Sequence, residues 1–353
     1  MTNPYATSRP HQMWRRAVSM VEPHLLDPVV APRFQIDAGT RVATAGSCFA
    51  QHIARKIRAI GFNYHVPEDG SDLPDALRRE KNFGVFSARY GNIYTVEQLL
   101  QLFEEVFEGR IRAETAWRRP DGRYVDPYRP RIEPEGYGSE DEVIAARREH
   151  LGFVERTFRE AELLIFTLGL TEAWRSRIDG SVFPLAPGVS GGDYDPERHA
   201  FHNFTVGEVT ASLIDFIGRL RRVNPEVRVL LTVSPVPLIA TYEDRHVSTS
   251  TTYSKAVLRV AAQAAFDAFD FVDYFPSYEI ITSSATGGLY YEEDHREVAE
   301  IGVAHAMRCF VRHYVAGAVV PPAAAIATDA PPPPLAGPKE VVCDEEAMDA
   351  ANI

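Results

Sequence analysis

The sequence predicts an α/β protein: a mainly parallel central sheet flanked by helices in three layers. Two observations lead there. Short apolar runs such as Leu163-Leu164-Ile165-Phe166-Thr167-Leu168 and Val227-Arg228-Val229-Leu230-Leu231-Thr232-Val233 largely lack the polar alternation of a half-solvated strand, as strands covered on both faces do. Between such runs lie longer segments whose apolar residues recur at helical spacing. Strands alternating with helices imply crossover connections and a parallel sheet.

In chain order, residues 1–38 are Pro-rich and read as an N-terminal arm with a short helix around Met13–Met20. Thr40–Ala45 reads as a strand. Gln51–Ile60 is an amphipathic helix ended by Gly61. Val96–Glu108 is a helix with Val96, Leu99, Leu100, Phe103 and Val106 on one face. Residues 109–138 form a long Arg-, Pro- and Gly-rich loop, and loops of that length inside a folded region often carry function. A charged helix spans 139–161 and leads into the strand Leu163–Leu168. Thr205 and Glu208 make a capping box for a helix over Val206–Asn224, which Pro225 closes. After the strand Val227–Val233 come an Ala-rich helix over Ser254–Phe269, a strand over Phe271–Phe275 and a last helix over Val298–Tyr314. The expected division is an arm (1–38), an α/β domain (39–318) and a Pro-rich disordered tail with an acidic end (319–353). The end of that tail, Glu340 to Met348, combines acidic and apolar residues. It is expected either to stay disordered or to dock on its own domain or a partner.

The chain has 353 residues and a net charge of −12, which argues against nucleic acid and anionic membranes as general partners. No run of about 18 apolar residues suggests a transmembrane segment. The widely spaced Cys48, Cys309 and Cys343 form neither a disulfide framework nor a metal motif. No Gly-x-Gly-x-x-Gly run opens at Gly46. No metal or cofactor is expected, and a cytoplasmic, reducing location fits.

The most informative stretch is Gly46-Ser47-Cys48-Phe49-Ala50, a Gly-led turn between a strand and a helix. Amides at a helix start lack intrahelical partners and carry partial positive charge. A thiol there ionises more readily, and the same donors can stabilise an oxyanion. The plainer alternative makes Cys48 a small buried apolar residue and Ser47 a helix cap.

Gly46–Ala50 resembles the signature of the GSCFA family, related to SGNH/GDSL-type esterases and acyltransferases. Further blocks resemble that family in its order: Asn82-Phe83-Gly84-Val85-Phe86 with Gly91-Asn92-Ile93-Tyr94-Thr95; Phe166 to Trp174; Thr232 to Val236 with Tyr253-Ser254-Lys255-Ala256; Tyr274 to Ile280; and Tyr290 to His295. Together they cover about residues 40–315. The resemblance implies an SGNH-hydrolase-like, flavodoxin-like three-layer sandwich. Against the Gly-Asp-Ser pattern of GDSL enzymes, Cys48 takes the nucleophile position and Ser47 the Asp position. Cys48 is favoured over Ser47, while Cys309, in a helix, and Cys343, in the tail, compete poorly.

The relatives' Asp-x-x-His aligns with Asp294-His295-Arg296-Glu297, which puts Glu297 where the histidine belongs. His295, preceded at three residues by Glu292, and His246, in the loop after the Val227–Val233 strand, are the leading bases; His202 is a third. The resemblance further implies an oxyanion and substrate site from the Cys48 amide, Gly84 or the Gly91–Asn92 region, and the Gly169–Glu172 turn. Thr171 stands where the relatives have Asn, and Glu172 is placed to orient the base. Arg129 and Arg131 are candidates for holding an anionic or sugar substrate, with surface ion pairing as the plainer role. The implied function is an acyl ester hydrolase or O-acyltransferase acting on a carbohydrate or other small-molecule substrate, with an acyl donor in the second case. The alternative is a non-catalytic glycan- or protein-binding module that kept the fold, which the Glu297 departure favours.

Overall fold

A computed structural model describes residues 3–317 and Asp344. The Pro-rich tail expected at 319–353 lies, Asp344 apart, outside the described residues. The chain divides into two compact units: one holds the arm to Asp37 and the chain from Phe275, the other Ala38–Tyr274 with Asp344.

The larger unit is built on a three-layer α/β plan. Its elements are β1 (Val42–Gly46), α1 (Cys48–Ala59), α2 (Asp75–Glu80), α3 (Val96–Phe107), β2 (Trp117–Arg118), β3 (Tyr124–Val125), α4 (Glu140–Glu160), β4 (Leu163–Leu168), β5 (Glu172–Ser176), β6 (Val182–Phe183), β7 (His199–Asn203), α5 (Val206–Val223), β8 (Arg228–Val233), α6 (Val247–Ala268) and β9 (Val272–Tyr274). Four strands form the central sheet in the order β1-β4-β8-β9, and every pairing is parallel. Every residue of β1 and β4 is buried, which explains their unbroken runs of apolar and small residues. Helix α1 packs on β1 and β4, α6 packs on β8 and β9, and α5 lies against α3 and α6. Capping boxes start α3, at Thr95 and Gln98, and α5, at Thr205 and Glu208.

Helix α6 begins at Val247, capped by His246, well before the expected Ser254. A second sheet, absent from the sequence reading, pairs β6, β5 and β7 antiparallel. The 109–138 segment is no open loop. It holds the β2–β3 hairpin, whose Trp117 and Val125 form a small core with Phe183. Beneath it lies an ion network. The Asp126 carboxylate accepts hydrogen bonds from Arg129 Nε (2.8 Å) and Arg147 (3.0 Å). Arg147 also donates to Glu105, as does Arg112. Arg112 and Arg147 each lay a guanidinium over the Tyr128 ring, at 4.4 and 4.6 Å.

The smaller unit pairs the arm with α7 (Ser277–Ile281) and α8 (Glu300–Tyr314). The arm is a series of short helical turns, the one expected near Met13–Met20 among them, at Arg15–Ser19. Ile36 bridges to Val315. His305 donates from Nε2 to the Leu26 carbonyl (2.7 Å), so its Nδ1 accepts from the Tyr290 hydroxyl. Burial, with Arg308 nearby, lowers the His305 pKa to about 4 and keeps this imidazole neutral.

Burial alone would raise the Asp126 pKa, but Arg147 and Arg129 outweigh it and hold the carboxyl well below its ordinary value. A depressed folded-state pKa gives stability that is complete above the unfolded value, about 4, and is lost as pH falls below it. Asp126→Ala leaves two buried guanidinium groups short of a partner. It is expected to lower stability by about 3–5 kcal/mol and to flatten the acid limb of a plot of urea midpoint against pH. At the end of β1, Gly46 has φ +136°, and a Cβ there would overlap the Thr167 carbonyl and come within 2.8 Å of Thr167 Cβ. Gly46→Ala is expected to cost at least about 1–3 kcal/mol in the same assay; an unchanged midpoint would contradict the register of β1 on β4.

Candidate active site

The carboxyl ends of β1, β4 and β8 meet around one small pocket. Strand β1 delivers Gly46, whose carbonyl accepts from Ile93 N–H (2.9 Å). Ser47 is the N-cap of α1, yet its side chain makes no capping hydrogen bond. Its hydroxyl is buried and has no hydrogen-bond partner among the described residues. Cys48 follows as the first helical residue and is 6% exposed. Ser47 and Cys48 line the pocket with Tyr94, Gly169, Ser234 and Lys255.

Each wall is tied to the next through the backbone. The Tyr94 carbonyl accepts from both Gly169 N–H (3.1 Å) and Leu170 N–H (3.0 Å). Gly169 has to be glycine, because a Cβ would lie 2.8 Å from Tyr94 O and 3.1 Å from Ser47 Cβ. At the end of β8, Ser234 N–H donates to Leu168 O (2.8 Å), and Ser234 Oγ accepts from Val236 N–H. From α6, Lys255 reaches in to donate to Gly169 O at 2.6 Å. It is 2% exposed, so an ammonium carried on a helix is drawn into the pocket wall. Asn92 is also buried. Its Oδ1 accepts from Gln51 Nε2, one turn along α1 from Cys48, and its Nδ2 donates to Asp344 (2.9 Å).

Several predicted site residues are engaged elsewhere. The N–H of Gly169 is given to Tyr94, so this turn presents a carbonyl to Lys255 rather than an amide to an oxyanion. Thr171 donates its hydroxyl to Asn203 (2.7 Å) and its N–H to Ser254 Oγ (3.0 Å), and is fully buried. Glu172 accepts from Thr241 Oγ1 and Tyr242 N–H, and burial raises its pKa. Gly84 lies against Arg58, which stands roughly 15 Å along α1 from Cys48. Arg129 belongs to the buried ion network with Asp126 and Glu68, so its charge is already compensated.

The histidines sort in the same way. His246 is the exposed N-cap of α6, its Nδ1 engaged with Ser248. That places it about 13 Å along the helix from Lys255. His202 pairs with Glu208. His295 and Asp294 lie in the smaller unit, in an exposed turn where His295 has φ 55° and Asp294 Oδ1 caps the amides of Arg296 and Glu297. His52, one turn after Cys48 on α1, packs on Phe49, and its Nδ1 faces Arg55 at 3.4 Å. Burial, then Arg55, lowers its pKa to about 3. It is therefore a weak base for a thiol proton.

The sequence reading did not name Lys255, Ser234, Tyr94 or Gln51 as site residues, although the first three fall inside the blocks that carried the resemblance. Among the described residues, no group of three or more His, Cys, Asp or Glu could hold a metal ion. No helix among them is long and apolar enough to cross a membrane.

Among solved structures, an acetyl xylan esterase (Est2A) from the rumen bacterium Butyrivibrio proteoclasticus is similar at 13% identity, over 37% of this chain and 32% of that one, with a TM-score of 0.19. The match spans about a third of that enzyme and is too slight to carry an inference about activity. Among curated proteins, none matches the chain. The profile of the GSCFA family, in contrast, matches residues 41–310, most of the chain, including the Gly46–Ala50 turn and every wall of the pocket: the protein belongs to the GSCFA family.

Proposed function

We propose that the protein is an acyl ester hydrolase or O-acyltransferase acting on a carbohydrate or glycoconjugate through a covalent acyl-enzyme on Cys48. The observation that carries this reading is the placement of Cys48 at the first position of α1, in a pocket it shares with a buried lysine. A helix start and a nearby cation both favour the thiolate. Ser47 lacks the partner a serine nucleophile needs, since its hydroxyl has no base within hydrogen-bond reach among the described residues.

In the first step the Cys48 thiolate attacks the ester carbonyl carbon, and the π pair moves onto oxygen. In this mechanism the partial positive charge at the start of α1 stabilises that oxyanion. Collapse expels the alcohol oxygen, which takes a proton, and leaves a thioester on Cys48. Water or a sugar hydroxyl then attacks the thioester, gives up its proton, and returns the thiolate. Lys255, as an ammonium, is the pocket group suited to hold the thiolate by charge, to give its proton to the leaving alcohol and, then as an amine, to recover one from the attacking water or hydroxyl. It fills the role that the resemblance assigns to a histidine, with His295 as the alternative base.

Cys48→Ala is expected to abolish turnover of activated acyl esters such as p-nitrophenyl acetate, and Ser47→Ala to spare it. Loss of activity with Ser47→Ala alone would transfer the nucleophile role to Ser47. Lys255→Met is expected to raise the midpoint of the pH profile of Cys48 alkylation by about 1–3 units and to lower turnover about 10²–10⁴-fold. His246→Ala should do neither. An unmoved profile in Lys255→Met together with a 10²-fold or greater loss in His295→Ala would give the base to His295. An ordinary thiol at Cys48, with no ester turned over, would favour the binding-module reading.

A further inference from the structure

Asp344 is 5% exposed although its sequence neighbours are Glu345 and Glu346, a run whose composition suits solvent. Burying a carboxylate is unfavourable unless hydrogen bonds replace its water. Here Asn92 Nδ2 donates to Asp344 Oδ2 at 2.9 Å, and the Asp344 backbone N–H donates to the Tyr94 hydroxyl at 3.2 Å. Asp344 is thus held by its side chain and its main chain at once, which fixes its position as well as its presence. The amide of Asn92 is oriented for this. Because its Oδ1 accepts from Gln51 Nε2, its Nδ2 faces the carboxylate.

These anchors border the Cys48 pocket. Gln51 stands one turn from Cys48 on α1, and Tyr94 lines the pocket itself. Two cations stand on the same elements: Arg55, one turn beyond Gln51, donates to the Gln51 carbonyl, and Lys255 lines the Cys48 pocket. We infer that Asn92, Gln51 and Tyr94 form a carboxylate-binding subsite beside Cys48, and that this chain fills it with its own Asp344 to restrict access to the thiol. Asn92 binds the carboxylate as a neutral amide, a bond that another carboxylate can compete for.

This inference rests on the geometry of Asp344 and does not require Cys48 to be a catalyst, so it is tested by thiol accessibility rather than turnover. The full chain is treated with iodoacetamide, and the Cys48 peptide is followed by mass spectrometry. Cys309 is the internal standard, a buried thiol whose pKa burial pushes up to about 12. Asp344→Ala is expected to speed Cys48 labelling about tenfold by enlarging the open population, with Cys309 unchanged. Asn92→Asp sets two carboxylates against each other and is expected to do the same. Combining Asn92→Asp with Asp344→Asn reverses donor and acceptor and should restore slow labelling. A labelling rate that is unchanged or slower in Asp344→Ala, or a double variant that stays fast, would overturn the inference. The exchange of amide and carboxylate also separates a lost contact from a general loosening of the fold, which it could not repair.

Discussion

The site depends on how closely three backbones approach one another at the carboxyl end of the central sheet. Gly46 and Gly169 make this possible by carrying no side chain. At Gly46 the chain leaves β1 against Thr167 of β4, in a conformation that disfavours other residues. At Gly169 the chain leaving β4 slides under Tyr94 and against Ser47. The carbonyls and amides of this junction then pair in sequence: Gly46 with Ile93, Tyr94 with Gly169 and Leu170, Leu168 with Ser234, Gly169 with Lys255. Three strand ends and one loop are locked by main-chain bonds, which sequence variation at the surface leaves untouched, and α6 is tied in through the Lys255 side chain. The start of α1 inherits its position from that lock.

The central sheet was legible because its strands are buried on both faces and therefore read as continuous runs. What escaped notice had weaker local signals. Strand β5, Glu-Ala-Trp-Arg-Ser, mixes charge with one aromatic, and β6 has only two residues. The start of α6, Ser248 to Thr252, is all Ser and Thr, residues whose side chains compete for backbone partners and lower helix propensity. Thr252 does bond back to Ser248 O within the helix, but a tertiary contact offsets the low propensity: Ser250 is buried and accepts from Thr241 Oγ1. Arg129 reads as a ligand or as surface charge because its nearby carboxylate, Asp126, does not by itself reveal that the pair is buried. Only the folded chain shows Arg147 between Glu105 and Asp126.

The Gly46–Ala50 turn could be read from five residues because strand, glycine, polar pair and helix are contiguous there. Lys255 could not. A lysine within an amphipathic helix reads as part of its solvated face, and nothing local marks this one as turned inward. The discriminating context is its neighbour Ser254, which accepts from Thr171 N–H and so turns this stretch of α6 toward the end of β4. Once Ser254 faces that turn, the long stem of Lys255 has a carbonyl within reach at Gly169 and little exposure to water.

The proposed choice of sulfur over oxygen as nucleophile rests on the same geometry. A serine hydroxyl ionises far above neutral pH and attacks only with a base in contact as the bond forms. The histidines that stand along α1 and α6 do not offer one: His52 is made a weak base by burial and Arg55, and His246 caps α6 well away from the pocket. A thiol needs much less help. Its proton can be gone before the substrate arrives, stabilised by the helix start and by a fixed positive charge. A lysine held in a pocket wall supplies such a charge without imidazole's directional demands. Ser47 then has a different role in this proposal: its Cβ lies against Gly169 and spaces α1 from the turn after β4, while its neighbour is the proposed nucleophile. On this account the serine and cysteine of the turn are not interchangeable, because the backbone aims one at the protein and gives the other the first position of the helix.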